Sequence, residues 1–434
     1  MRLLIGGASS GCGKTTVSLS VMAALKARGL SVAPCKVGPD YIDPSFHRAA
    51  CGRASHNLDP FLMGESAVRA VLARAEAASD IAVIEGVMGY YDGLDAVRLK
   101  CSTHEMARVT GTSAVLVVDA SGGAASVAAT VRGFQTLVPE SGIRAVLVNR
   151  VSSARHYELV REAVSYYTAL PCAGYLRKDA ALDLPSRHLG LVPAGETDAL
   201  SEKLRRAAEN ARATVDLDML VALAAEAPKL EGSLAALPRR AGYRLGVARD
   251  EAFSFYYEEN LRMLRESGME IAEFSPLRDQ ALPENLSGLY IGGGFPEVFA
   301  EQLAANRSMR ESVRRALESG LYCYAECGGL MYLSRAIDGR EMVGFFPIEC
   351  RMTDRLQHFG YAIVEDEAGF TYPAHEFHHA VAEPAEPVHR AFRVRKASAP
   401  EKTWACGYAR KNALAGFPHL HFSSHPELIG RLWP

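Results

Sequence analysis

The 434-residue sequence contains no apolar run long enough to cross a bilayer, and its apolar start, Met1 to Ile5, meets glycines at once. That start is also too short for the apolar core of a signal peptide, so the chain reads as cytoplasmic. No charge of one sign dominates. Forty-eight Lys and Arg face fifty Asp and Glu, a net charge of −2. No overall field therefore favours nucleic acid or an anionic membrane, and any partner has to be chosen by a local site. Paired metal spacings such as CxxC are absent, and the nine cysteines are an odd, scattered set. Neither a disulfide framework nor a zinc site is indicated, and most of the cysteines read as small buried hydrophobes. Short-period repeats and low-complexity tracts are also lacking, which excludes a solenoid. At 48% hydrophobic and 23% charged residues, what is left is a globular chain long enough for two or three cores.

Short apolar, β-branched runs alternate with Ala/Leu/Arg/Glu-rich helical stretches: Arg2 to Ile5, Ser31 to Lys36, Ile81 to Glu85, Ala114 to Asp119 and Ala145 to Val151. This alternation predicts βαβ units around a parallel sheet. It pauses between Glu226 and Gly242, where Ala, Pro, Gly and basic residues cluster, and restarts with Tyr243 to Ala248. Two α/β domains are expected, over residues 1–228 and 243–434. In the second, strands are expected at Leu289 to Ile291 and Leu321 to Ala325, with a more β-rich tail containing Gly344 to Glu349 and Ala413 to Phe422.

The first predicted strand runs into Gly7-Ala8-Ser9-Ser10-Gly11-Cys12-Gly13-Lys14-Thr15-Thr16 and then a helix. Small residues there let backbone N–H groups curl around phosphate oxygens, with a Lys ammonium on the outer phosphates and a hydroxyl on magnesium. The nucleotide-binding candidates of this P-loop are Gly7, Ser10, Gly11, Cys12, Gly13, Lys14, Thr15 and Thr16. The standard spacing would put glycine where Ala8 stands. A Gly-rich turn with a chance Gly-Lys-Thr is the plain alternative. Two further segments, Lys36 to Pro44 and Glu85 to Gly93, also follow strands, at the sheet edge where open α/β folds bind ligands. Asp40, Asp43, Glu85 and Asp92 are thus expected to converge beside the loop. Carboxylates facing a triphosphate need a cation between them, and magnesium suits oxygen ligands; Asx-turns or helix caps are the alternative. Asn149 ends another strand and could read an adenine edge or cap a helix.

Leu321 to Met331 reads as strand, sharp turn and helix with Cys327 at the corner, a nucleophile elbow. Such a turn is expected to expose the sulfur and to offer backbone N–H groups, at Gly328 and in the cluster Gly292-Gly293-Gly294, to an oxyanion. A thiolate nucleophile needs a base, and His419 and His421 are at hand. His375, Glu376, His378 and His379 form a histidine-rich segment without the HExxH spacing, and a strand or turn with structural hydrogen bonds is expected there rather than a metal.

In order along nearly the whole chain, "GASSGCGKTT", "KVGPDYIDPSFH", "NLDPF", "EGVMGYYDG", "LVNRV", "LPSRHLGLVPAGE", "ARDEAFSFYYEENL", "IGGGFPE", "AECGGLMYL", "HEFHHA" and "HLHFSSHPEL" resemble the cobyrinic acid a,c-diamide synthase family. The resemblance implies a dethiobiotin-synthetase-like P-loop domain followed by a class I glutamine amidotransferase-like domain. It departs at Phe417-Pro418 and Ala374. By position, it implies Cys327 as glutaminase nucleophile and His419 as its histidine, with His421 in reserve. Because position 421 is not a carboxylate, a dyad rather than a triad is implied. His425-Pro426-Glu427 copies an amidotransferase tripeptide but falls after the strand, so it is set aside.

The resemblance further implies ATP and Mg2+ as cofactors. Lys14 and Lys36 would neutralise the triphosphate, Thr15, Asp40 and Glu85 would hold the metal, and Asp43 and Asp92 would position substrate. Acetate carboxylates a and c of the corrin would become acyl phosphates and take ammonia released from glutamine at Cys327, with Gly293 and Gly328 at the oxyanion. A sheltered ammonia route is expected, because free ammonia is mostly ammonium at neutral pH. Partners would be small molecules only, with a homodimer left open and no nucleic acid or membrane. Hydrogenobyrinic acid or nickel-sirohydrochlorin are rival acceptors. The rival from another class is a P-loop ATP switch carrying a binding module, against which the Cys327 elbow argues.

Overall fold

The computed structural model describes residues 1–178 and 197–434, with the side chains of residues 197 and 198 excepted. The expected segment "LPSRHLGLVPAGE" lies outside the described residues. The chain divides into two compact units, Met1–Leu234 and Ala235–Pro434.

Among the described residues of the first unit seven strands follow the chain: β1 (Arg2–Gly7), β2 (Val32–Val37), β3 (His56–Leu58), β4 (Ile81–Glu85), β5 (Ala114–Asp119), β6 (Ile143–Val151) and β7 (Cys172–Arg177). They form one sheet in the order β3-β2-β4-β1-β5-β6-β7, with every pairing parallel. β1, β2 and β4 are buried at every position. That burial is why they read as continuous apolar runs rather than alternating ones. The five strands anticipated here are present within two residues of their expected ends, while β3 and β7 were not anticipated. Arg2 is 1% exposed. It is tolerated because its guanidinium is saturated: it pairs with Glu76 and donates to Thr112 Oγ1 and to the carbonyls of Thr110 and Pro228. The Pro228 bond, with Arg69 donating to the Glu231 carbonyl, ties the segment after the last helix, Leu217–Ala225, back onto this unit.

The second unit has twelve strands: β8 (Arg244–Ala248), β9 (Glu270–Phe274), β10 (Gly288–Ile291), β11 (Tyr322–Glu326), β12 (Ala336–Ile337), β13 (Arg340–Glu341), β14 (Ile348–Asp366), β15 (Thr371–Pro384), β16 (His389–Lys396), β17 (Ala399–Arg410), β18 (Ala413–Gly416) and β19 (His419–Leu420). Five of them, in the order β9-β8-β10-β11-β18, are parallel, and the sheet continues antiparallel through β17, β16 and β14. β15 leaves this path, pairing with β14 on one side and β19 on the other. The strand expected from Gly344 begins only at Ile348, because Gly344 has φ 68 and Pro347 has no N–H to give a ladder. Among the described residues no helix is long and apolar enough to cross a membrane.

Candidate functional site

The phosphate loop leaves β1 and enters the helix Lys14–Ala27 through Gly13, whose φ of 87 is left-handed. Glycine is needed there twice over: the conformation disfavours a Cβ, and a Cβ would run into the Asn149 amide. That amide donates to the Cys12 carbonyl at 2.9 Å. Asn149 is buried and pins the loop from below. The helix start carries no side-chain cap, which leaves its first N–H groups open for an anion. Ser9, Ser10 and Gly11 are exposed, whereas Cys12 is buried.

Register places Lys36 on β2 directly beside Glu85 on β4. Lys36 Nζ lies 2.7 Å from Asp43, 3.2 Å from Glu85 and 3.8 Å from Asp40, and donates to the Gly86 carbonyl at 3.0 Å. Glu85, 0% exposed, accepts from Thr15 Oγ1 at 2.7 Å and pairs with His47 Nε2 at 2.7 Å, while Lys14 Nζ lies 3.8 Å away. Burial alone would push the Glu85 carboxyl up, but Lys36, His47 and Lys14 outweigh it and hold it well below its usual range. Asp43 is pushed up to about 8 by burial and by the charge of Glu85. Burial and the Lys36 charge lower the Lys14 ammonium. Burial would lower Lys36 too, yet the carboxylates raise it.

Asp40, Asp43 and Glu85 thus converge as anticipated, but on Lys36, whose charge is already balanced. Asp92 does not join them. It is exposed, and its Oδ2 accepts from the Gly89 N–H at 3.1 Å, closing the turn in which the Tyr90 N–H donates to the Gly7 carbonyl. Asp40 Oδ1 accepts from the Ile42 and Asp43 N–H groups, the turn geometry weighed as its alternative. His47, 0% exposed and also bonded to Ser55 Oγ at 3.0 Å, had no role from spacing. Its helix position, four residues after Asp43, was the available signal. The hard oxygens of Thr15 and Glu85, adjacent and next to the open helix start, fit a magnesium ion that keeps most of its shell as water and phosphate.

In the second unit Cys327 stands at φ 50, ψ −106 between β11 and the helix Gly328–Leu333. Its N–H donates to the Gly416 carbonyl of β18 at 2.7 Å. The expected exposure of the thiol is not found. Cys327 is 5% exposed, with Sγ 3.9 Å from the Phe377 carbonyl of β15, because that long strand passes over the elbow. Gly293 lies against His419: a Cβ there would be 2.6 Å from Cε1. Its carbonyl accepts from the Phe255 N–H. Gly328 opens the helix, and a Cβ there would be 3.1 Å from the Gly294 nitrogen, so the two glycine turns meet beside the thiol.

The two histidines separate. Burial alone would lower His419, yet hydrogen bonding to Cys327 and Glu326 outweighs it and raises the imidazolium to about 10. His421 is lowered by burial to about 3, lies 4.8 Å ring to ring from Tyr257, and accepts from the Ser423 N–H at Nδ1. His375, the register partner of His419 across β15 and β19, is also lowered to about 3, by burial and by His419. The rest of the histidine-rich segment is a strand held by structural bonds: Trp404 donates to Glu376, Glu376 pairs with His378, and His378 stacks on Phe417 at 3.8 Å. No group of three or more His, Cys, Asp or Glu placed to hold a metal occurs among the described residues. His425 pairs with Glu427 of its own turn and packs edge-on against Tyr372.

Two family models match, one per unit: a CobQ/CobB/MinD/ParA nucleotide binding domain over residues 3–192 and a CobB/CobQ-like glutamine amidotransferase domain over residues 244–427. Curated relatives named cobyrinate a,c-diamide synthase match from end to end. The protein of Listeria monocytogenes serotype 4b (strain F2365) is 45% identical, covering 100% of this chain and 98% of its own. That of Caldanaerobacter subterraneus subsp. tengcongensis is 40% identical, covering 99% and 96%. That of Salmonella typhimurium (strain LT2) is 38% identical, covering 98% and 96%. With both units matched and identity of this size over the full length, the chain belongs to the cobyrinate a,c-diamide synthase family.

Proposed function

We propose that this protein uses ATP and glutamine to amidate the a and c acetate carboxylates of cobyrinic acid, a step of cobalamin biosynthesis. What carries the proposal is the combination, on one chain, of a phosphate loop backed by a charge-balanced cluster and a buried thiol held beside a raised imidazole. Both sit in a chain matching synthases of that name from end to end. The division of labour follows residues 1–228 and 243–434, and the open helix start with Lys14 receives the ATP phosphates. Thr15, Glu85 and Asp40 would hold Mg2+, which when bound offsets phosphate charge.

A corrin carboxylate attacks the γ-phosphorus, breaks the bond to the bridging oxygen and becomes an acyl phosphate, with ADP leaving. Asp43 would help position the carboxylate, Asp92 stays in its own turn, and Asn149 keeps the loop in shape. At the elbow His419 already holds the proton taken from Cys327, and Sγ attacks the glutamine amide carbon. N–H groups at Gly293 and Gly328 stabilise the oxyanion. His419 returns the proton to the leaving nitrogen, so ammonia departs and a thioester remains for water to cleave. Ammonia then displaces phosphate from the acyl phosphate.

Mass spectrometry of cobyrinic acid incubated with the protein, Mg-ATP and amide-labelled glutamine tests this. Two successive acid-to-amide conversions carrying the label are expected. Consumption of ATP and glutamine with cobyrinic acid unchanged would move the acceptor to another tetrapyrrole; no glutamine turnover would refute the ligase reading.

A further inference from the structure

Glu326, the residue before the thiol, closes β11 and is 1% exposed. A carboxylate removed from water costs several kcal/mol unless hydrogen bonds and a counter-charge offset it. Glu326 has three neutral donors from three strands or their ends: Tyr324 Oη at 2.9 Å, Tyr290 Oη at 3.0 Å and the Leu420 N–H at 3.0 Å. The fourth neighbour is ionisable. His419 Nδ1 lies 3.5 Å from Glu326 Oε2. The Leu420 bond fixes β19 immediately after His419, so one carboxylate holds the backbone next to that histidine and lies within ion-pair distance of its ring.

Cys327 faces the ring as proton donor. His375, across the strand pair, is held neutral by burial. The Tyr290 and Tyr324 hydroxyls are raised by burial and by Glu326 itself and stay protonated. His421, the other histidine after β18, is neutral and packs at a tilt against Tyr257.

We propose that Glu326 is the positioning residue of the glutaminase site: Oε2 faces the Nδ1–H of His419 and holds the ring with Nε2 turned toward the thiol. The proposal rests on the assignment of Cys327 and His419 above and completes their dyad from within β11. The proton travels only from Sγ to Nε2 and on to the leaving ammonia.

The test uses the full-length protein and the variants Glu326→Gln, Glu326→Asp and Cys327→Ser. Glutamine hydrolysis and alkylation of Cys327 by iodoacetamide are followed between about pH 5 and 9. In Glu326→Gln, kcat is expected to fall about a hundredfold or more while KM moves by less than about threefold. The alkylation rate at the acid end should drop as the thiolate loses its imidazolium partner. Glu326→Asp should recover part of both. A Glu326→Gln enzyme with the wild-type alkylation profile, whatever its kcat or melting temperature, would overturn the proposal and leave Glu326 a packing residue. If Glu326→Gln does not fold, ring nitrogen-15 spectra of wild-type His419, followed to a pH high enough to deprotonate the imidazolium, decide: a neutral ring protonated at Nδ1 supports the proposal, one protonated at Nε2 refutes it. Retained glutaminase activity in Cys327→Ser would instead sink the parent assignment.

Discussion

Gly13 and Cys327 occupy equivalent corners. Each follows a strand of a parallel sheet, each opens a helix, and each has positive φ, 87 for Gly13 and 50 for Cys327. In the phosphate loop the useful groups are backbone N–H donors, so the corner can be the residue that adopts the left-handed region without strain. In the elbow the useful group is the side chain itself. A glycine there would remove the nucleophile, and a cysteine must accept a conformation that costs roughly 1–3 kcal/mol. The surrounding structure holds it there: the Cys327 N–H is bonded to Gly416, and the Gly292-Gly293-Gly294 turn gives the backbone room to pass. The electrostatics divide in the same way. The loop cluster crowds Lys14 and Lys36 against Asp40, Asp43 and Glu85, an arrangement suited to a polyanion that arrives from solvent. The elbow buries one thiol, one imidazole and one carboxylate, an arrangement suited to moving a proton over a short distance.

The sharpest way to break this comparison is to remove each working group and read both activities. Cys327→Ser should lower glutamine hydrolysis by at least about a thousandfold and leave amidation with ammonium salts as the nitrogen source intact. Lys14→Ala should lower ATP-dependent amidation by about a hundredfold, the scale of losing one transition-state charge contact, with glutamine hydrolysis retained. Equal loss of both activities in either variant would mean that the two corners are not separate sites.

How far the sequence led differs between the corners and what surrounds them. The loop and the elbow are local patterns, glycines and a reactive residue within ten positions of a strand, and both were legible with Cys327, Lys14 and Thr15 named. Of the partners that set their charge, Lys36, Asp43 and Glu85 were legible at strand ends, but His47 and Glu326 were not. His47 meets Glu85 only because β2 and β4 are neighbours, and Glu326 meets His419 only because β18 lies beside β11 and returns as β19. No spacing within a window encodes those pairings. Both histidines after β18 were visible, and the resemblance put His419 first with His421 in reserve; position could not show that His419 meets Cys327 and Glu326 while His421 packs against Tyr257. β14 was largely missed because its outer segment, Arg351 to Gly360, is polar and pairs with register shifts, which blurs the two-residue alternation. The histidine-rich segment read as strand or turn, by contrast, falls inside β15.

A smaller effect sharpens the loop side. Asn149→Ala removes the bond to the Cys12 carbonyl and opens space beneath Gly13, so the N–H groups of the loop lose their fixed aim. Raising KM for ATP about tenfold, the equivalent of about 1.4 kcal/mol, is the expected result. Glutamine hydrolysis should not change. An unaltered KM would show that the loop holds its shape without this support.

The last comparison concerns pH and has a definite sign. His419 carries its proton to about 10 in the folded protein, whereas an unfolded histidine releases it near 6.5. Between those values the folded state binds a proton that the unfolded state does not, so this group's contribution to stability is complete below about 6.5 and fades as pH rises toward 10. Asp43, raised to about 8, acts in the same direction over a lower window. It keeps a proton that the unfolded carboxyl loses near 3.9, so its favourable contribution fades between about 4 and 8. Calorimetry of His419→Asn should therefore flatten the decline of melting temperature with pH above about 6.5 and leave the lower window unchanged, while Asp43→Asn should do the reverse. Parallel melting curves for wild type and His419→Asn across the alkaline window would mean that the imidazole is not held charged beside Glu326, and the contrast between a charge-crowded loop and a proton-holding elbow would fail at its smaller end.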